Sequence, residues 1–312
     1  MRMHFRTAAI AAILAMALGY ATYSNAGKSP PPPPYNPQIT YTEISKGGST
    51  TTIDVANADG TDAVSLYSTG NITNGLKFAP TGNRIVFTEQ NAIKVLTYAV
   101  SSQGVATTSV TTLSSEPYTP LHVDVSPDGT QLLFVEHTAD PNQWAVWLMP
   151  LSGGTPTQIG LTPNLYYDAV WAHSNNRIAV IQGGPVQAGF GVQTIEVIDL
   201  DTNYNITNIT PVFNSTASQL YQIQRIESAH TSDTLIFDAV SGSNGSVYTV
   251  DIGTTAFSAA IVAGGNPSFS ADDSTILFIG PTVPFLREFN LSTHTQTQIS
   301  SPRVISRPDF LP

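Results

Sequence analysis

The chain has 312 residues, 41% hydrophobic and only 11% charged, with 23 Gly, 22 Pro, no Cys and a formal net charge of −10. That length allows a substantial core, and the lack of cysteine excludes disulfides and thiolate metal sites. The acidic balance argues against nucleic-acid and anionic-membrane partners, both of which call for a basic surface.

Residues 1–26 read as a signal peptide. Arg2, His4 and Arg6 precede an apolar run over residues 8–18 that is too short to span a bilayer, and Ser24-Asn25-Ala26 offers small residues for cleavage. Cleavage after Ala26 removes two arginines and no acid, deepening the negative charge by two. The alternative for this segment is an uncleaved membrane anchor. Residues 27–38 form a spacer with a proline tract at 30–34, stiff in the polyproline conformation. Nothing later is apolar and long enough to be transmembrane, so the expected product is a periplasmic or secreted monomer. The Asn-x-Ser/Thr triplets at Asn71, Asn205, Asn208, Asn214, Asn244 and Asn290 are expected by chance in a chain this rich in those residues.

Residues 39–312 carry a repeat. In Val125-Ser-Pro-Asp-Gly-Thr-Gln-Leu132-Leu-Phe134, apolar residues stand seven and nine positions after the anchor Val125. Phe78 leads in the same way to Ile85 and Phe87, Trp171 to Ile178 and Val180, and Phe269 to Ile276 and Phe278. A fifth copy, Ile226 with Leu235 and Phe237, is read with two extra residues in its turn. Pro presets a turn, Asp bonds back to the backbone and Gly supplies positive φ, so each stretch predicts strand, turn, strand. A second β-rich run follows in each copy (93–98, 144–149, 194–200, 247–252, 286–291), then a polar strand such as 109–113 or 155–159. Four strands recurring every roughly 42–56 residues predict propeller blades. Segment 132–135 is apolar on both faces, as cover by neighbouring blades requires.

The last copy is a half. Phe310-Leu-Pro312 matches Phe78-Ala-Pro80, and the missing strands stand at the other end, in Ile39-Thr-Tyr41, 52–55 and 63–66. The expected fold is therefore all-β: a six-bladed β-propeller of four-stranded antiparallel blades, closed by pairing the C-terminal strand with the N-terminal ones.

The pattern apolar-Ser-Pro-Asp-Gly-x-x-apolar-x-Phe, followed by Trp147-Leu-Met-Pro-Leu-Ser-Gly-Gly154, resembles the TolB-type, WD-like propeller repeat. The resemblance covers residues 39–312 and is tightest at 125–154 and 269–291. It implies an exported scaffold of the cell envelope that binds a protein or an envelope polymer and is not an enzyme. The family's founding member carries a small α/β domain ahead of its propeller, whereas only the signal and the proline tract precede Ile39 here.

Catalytic signatures are sparse. The Gly-x-Ser-x-Gly elbow of propeller-gated serine hydrolases does not occur. Asp199-x-Asp201-x-Asn203-x-Asn205 has the oxygen spacing of a calcium loop, but Tyr204 stands where Gly is required and no Glu closes it, so a turn is expected and no cofactor is assigned. His173 takes the place of the repeat's turn proline. The innermost strands bear His122, Asp124, Asp168, Arg225, Glu227 and Asp309, a candidate channel site for a small molecule or cation. The competing reading of the function is a lyase or lactonase-like hydrolase using these groups, with or without a divalent cation. Contact loops are expected at 101–105, 138–143, 183–191 and 203–219, with Gln187 and Phe190 as candidate binding residues.

Overall fold

A computed structural model describes residues 37–45, 48–71, 73–80, 82–101, 104–115, 120–138, 140, 143–159, 165–183, 192–218, 220–241, 244–281, 284–299 and 304–311. Among them, six four-stranded antiparallel sheets form the blades of a propeller. Blade one combines both ends of the chain: β1 (Ile39–Ile44), β2 (Thr51–Ala56), β3 (Val64–Thr69) and, innermost, β24 (Val304–Phe310). Blade two is β4 (Thr73–Phe78), β5 (Arg84–Glu89), β6 (Ala92–Val100) and β7 (Ala106–Ser115). Blade three is β8 (His122–Val125), β9 (Gln131–His137), β10 (Trp144–Pro150) and β11 (Thr157–Gln158). Blade four is β12 (Leu165–Trp171), β13 (Arg177–Gly183), β14 (Gln193–Leu200) and β15 (Ile206–Asn214), followed by a single helical turn, α1 (Ser215–Ser218). Blade five is β16 (Tyr221–Ser228), β17 (Thr234–Ser241), β18 (Asn244–Asp251) and β19 (Val262–Ala263). Blade six is β20 (Gly265–Phe269), β21 (Thr275–Ile279), β22 (Leu286–Asn290) and β23 (Thr295–Gln298).

The inner strands β24, β4, β8, β12, β16 and β20 touch in a closed cycle. Closure is covalent nowhere; it depends on β24 pairing with β1 through Ile39 opposite Phe310 and Thr40 opposite Asp309. Each seam between blades holds its own apolar cluster. The second strand of every blade is sealed on both faces, which explains the doubly apolar 132–135 segment. Phe78, Phe87, Phe134, Phe237 and Phe278 are among the largest fully buried side chains.

The predicted turn forms as its chemistry demands. Gly129 N–H donates to Ser126 O at 2.8 Å with Gly129 at φ +71°, while Asp128 Oδ1 accepts from Thr130 N–H at 2.9 Å. In blade six Asp273 takes the glycine's place at φ +57°, and its carboxylate accepts the His230 and Thr231 amides of blade five, each at 2.8 Å. His173 also adopts positive φ, +56°, a conformation closed to the proline it replaces.

Two sequence readings need correction. Blade five has no insertion: Ser228 pairs with Leu235 and Ile226 with Phe237, so the anchor is the polar Ser228 and the offsets of seven and nine are kept. Segment 203–219 is not a long connection, because most of it is the outer strand β15 and the turn α1. At two other expected contact loops the flanking strands are joined at the base, with Ser101 N–H on Val105 O and Thr138 N–H on Gln143 O, both at 2.9 Å.

Side chains also join blades. Gln193 mimics a strand pair, accepting from Ile223 N–H at 2.7 Å and donating to Ile223 O at 3.0 Å across the seam of blades four and five. Glu89 of blade two gathers Tyr67 Oη at 3.0 Å and Thr69 Oγ1 from blade one, Asn71 Nδ2 at 2.9 Å and Lys94 Nζ. Burial pushes this carboxyl up, but the donors outweigh burial and hold it at about 2. Its stabilising contribution is complete above the ordinary glutamate range near pH 4.5 and is lost as pH falls toward 2. Glu89→Ala, which strands Lys94 and Tyr67, is expected to cost about 2–4 kcal/mol in denaturant titration at neutral pH. The loss should shrink as pH falls toward 2, because the ionisation-linked part disappears and only packing and neutral hydrogen bonds remain; equal losses at both pH values would contradict this role.

Candidate functional site

The register places one residue of each inner strand at the same level of the axis, immediately before the anchor. Around the ring these are Asp309, Lys77, Asp124, Val170, Glu227 and Ser268. Lys77 from blade two reaches to the centre of this layer. Its Nζ lies 2.6 Å from Glu227 Oε1 of blade five, 3.2 Å from Asp309 Oδ1 of blade one and 3.7 Å from Asp124 Oδ1 of blade three. The four side chains are sealed, none more than 9% exposed. A second layer holds Arg225, whose Nη1 is 3.1 Å from His122 Nδ1 and whose Nη2 is 3.9 Å from Glu227 Oε2. Arginine can only donate, so Nδ1 accepts and His122 is a neutral imidazole protonated on Nε2. Asp168 Oδ1 lies 3.6 Å from His122 Nδ1, and its Oδ2 lies 4.0 Å from Arg225 Nε.

All six channel residues proposed from the sequence thus meet in one cluster, and Lys77 is the group the sequence reading missed. The carboxylates have a further task. An inner strand is a sheet edge, and its outward amides have no strand to bond. Asp309 Oδ2 accepts from Phe78 N–H of the next blade at 2.7 Å, and Asp124 Oδ2 from Trp171 N–H at 2.7 Å. Asp168 Oδ2 accepts from Ile226 N–H at 3.1 Å. Ser268 Oγ accepts from Phe310 N–H at 3.3 Å while donating to Asp309 Oδ1 at 3.1 Å. The channel lining therefore bonds blade to blade.

Burial dominates the electrostatics. It raises Asp168 to about 7 against the opposing pull of Arg225, and Asp124 to about 6 against that of Lys77. Asp309 is raised for the same reason. Glu227 is also pushed up by burial, but Lys77 and Arg225 outweigh this and leave it below the usual carboxylate range. Lys77 is held firmly charged by its three acids.

Above this layer, on the face bearing the Ser-Pro-Asp-Gly turns, a cavity of about 420 Å³ opens. Lys77, Asp124 and Glu227 lie at its base, Phe78, Val125, Trp171 and Ala229 contribute apolar surface, and Pro80, Pro127, His173 and His230 border it. Gln187 and Phe190 lie outside the described residues. In the Asp199–Asn205 segment, Asp201 Oδ1 accepts from the Asn203 and Asn205 amides, both at 2.8 Å, and Asp199 Oδ1 pairs with Arg177 Nε at 2.8 Å. Tyr204 takes φ +63° at the position where a calcium loop requires Gly. Asp201 is thus engaged in holding the turn, and Asp199 in joining β14 to its neighbouring strands. Among the described residues no group of three or more His, Asp or Glu is placed to hold a metal ion, and no helix is long and apolar enough to cross a membrane.

No family sequence profile and no curated protein sequence matches the chain. Solved structures do. TolB from Acinetobacter baumannii superposes with a TM-score of 0.67 at 16% identity, over 88% of this chain and 67% of that one. This is the TolB-type propeller fold. A chain of a nidogen–laminin complex gives 0.64 at 9% identity, over 88% of this chain and 98% of its own. A TolB-designated protein from Agrobacterium tumefaciens gives 0.59 at 11%, over 85% and 90%. At such identities the likeness is one of fold.

Proposed function

We propose that this TolB-type propeller is an exported, non-enzymatic interaction module of the cell envelope that receives a protein or envelope polymer at the mouth of its channel. The observation that carries this reading is the contrast between channel and mouth. The acids and bases of the channel are already bonded to one another and to backbone amides of neighbouring blades, whereas the cavity above them is open, apolar-walled and bordered by turns on a rigid ring. The likeness to a chain solved in a nidogen–laminin complex fits such use of a propeller. Export rests on the signal-like residues 1–26. The competing hydrolase or lyase reading would require Asp124, Asp168 or Glu227 to leave those bonds before reaching a substrate.

The test is site-specific photocrosslinking in the native envelope. A photoreactive residue at the exposed His173, beside the cavity, is expected to capture one discrete partner or polymer species, and one at the exposed Thr111 on the outer rim is not. Capture from Thr111 alone, from both sites equally, or from neither overturns the reading.

A further inference from the structure

We propose that the polar centre of the propeller is a proton-linked clasp: the folded ring holds a proton that the unfolded chain releases, and losing it leaves uncompensated negative charge buried where the inner strands of the blades meet. The described side chains of the two channel layers bring four carboxylates, Asp124, Asp168, Glu227 and Asp309, against two cations, Lys77 and Arg225. His122 adds no charge, because its Nδ1 accepts from Arg225. A surplus of buried negative charge carries a heavy desolvation penalty, and binding protons is the direct way to remove it.

Each acid's surroundings show where the protons go. Glu227 faces Lys77 at 2.6 Å and Arg225 at 3.9 Å, with His230 adding a favourable field from the mouth, so it stays ionised. Asp309 faces Lys77 and Ser268, with Glu227 opposing ionisation. Asp124 faces Lys77 at a longer 3.7 Å and is also opposed by Glu227. Asp168 has Arg225 at 4.0 Å and neutral His122 at 3.6 Å, with Glu227 again opposing. Asp168 is therefore the least compensated and Asp124 the next, in keeping with their rise to about 7 and about 6.

These two carboxyls accept the Ile226 and Trp171 amides of the following blades, bonds that strengthen on ionisation but only partly offset the cost of burying the charge. A carboxyl raised in the folded state favours folding most at low pH. Its stabilisation begins to fall as pH rises above the unfolded value near 4 and is exhausted above the folded value, here about 7.

The experiment is thermal unfolding of the full chain and of Asp168→Asn between about pH 5 and 9. The parent is expected to lose roughly 5 °C or more as pH rises across that range, and Asp168→Asn, which cannot ionise, to lose distinctly less. Asp238 also faces Arg225, whose charge opposes the rise that burial gives this carboxyl, whereas Glu43 on β1 is raised to about 7 by burial and by Asp54 alone, so Glu43→Gln serves as the control away from the axis and is expected to leave a pH dependence that Asp168→Asn removes. A constant offset between parent and Asp168→Asn at every pH overturns the clasp. Should Asp168→Asn fail to fold, infrared difference spectroscopy of the parent decides: a protonated-carboxyl carbonyl band that persists at neutral pH and vanishes on unfolding is expected. Its absence overturns the proposal.

Discussion

Lys77→Met is expected to lower the melting temperature at neutral pH by roughly 10 °C. The substitution keeps much of the volume of the lysine stem but removes the cation that Glu227, Asp309 and Asp124 share. Those acids come from blades five, one and three, so a single side chain from blade two ties four of the six blades together. Removing one partner of a buried ion pair costs about 3–5 kcal/mol, because the other is left as an uncompensated charge. Two companion measurements separate this from lost packing. The deficit should shrink in mild acid, where the abandoned carboxylates take up protons, and a second change, Glu227→Gln, should recover part of the loss. A Lys77→Met protein that melts within about 2 °C of the parent would remove Lys77 as the centre of the ring.

Deleting residues 305–312 is expected to be more damaging still, with Phe310→Ala as its graded form. Phe310 is 5% exposed and packs with Ile39, Tyr41, Ala56, Leu277, Ile279 and Leu286, so its truncation bears on blades one and six together. Truncating a buried Phe costs about 3–5 kcal/mol, set against a total stability of roughly 5–15 kcal/mol. The deletion also removes Asp309, and with it one partner of Lys77 and the acceptor for Phe78 N–H. It bares the edge of β1 as well, so self-association should accompany the loss of stability. Differential scanning calorimetry and light scattering at several concentrations test both effects. A truncated chain that melts with the parent and stays monomeric would show that the ring does not depend on the C-terminal strand.

Most of the architecture could be read from the sequence because the repeat's anchors fill the seams, where only large apolar side chains fit. Phe78, Val125, Trp171 and Phe269 announced their blades in this way. The exception teaches more. Blade five anchors on Ser228, a polar residue at an apolar position, so the eye settles on Ile226 two places earlier. That slip preserves the strand's facing, which is why the blade was still found. It also displaces the level just before the anchor, pairing Arg225 instead of Glu227 with Asp124 and Asp309, and so hides the layer to which Lys77 belongs. With Ser228 as anchor, the row Asp309, Lys77, Asp124, Val170, Glu227 and Ser268 falls out of the sequence directly. Which partners Lys77 would choose remained beyond sequence, since they come from blades as much as 232 positions away along the chain. Strand β15 escaped for another reason. Its Asn- and Thr-rich stretch stands at the outer rim, where no neighbouring blade demands apolar residues, and composition alone does not distinguish it from a connection.

Leu311 N–H donates to Gln38 O at 2.8 Å, so the path of the chain enters and leaves the disc at a single gate. Anything fused to either end departs from blade one, beside its innermost strand, much as a key and its fob hang from one ring.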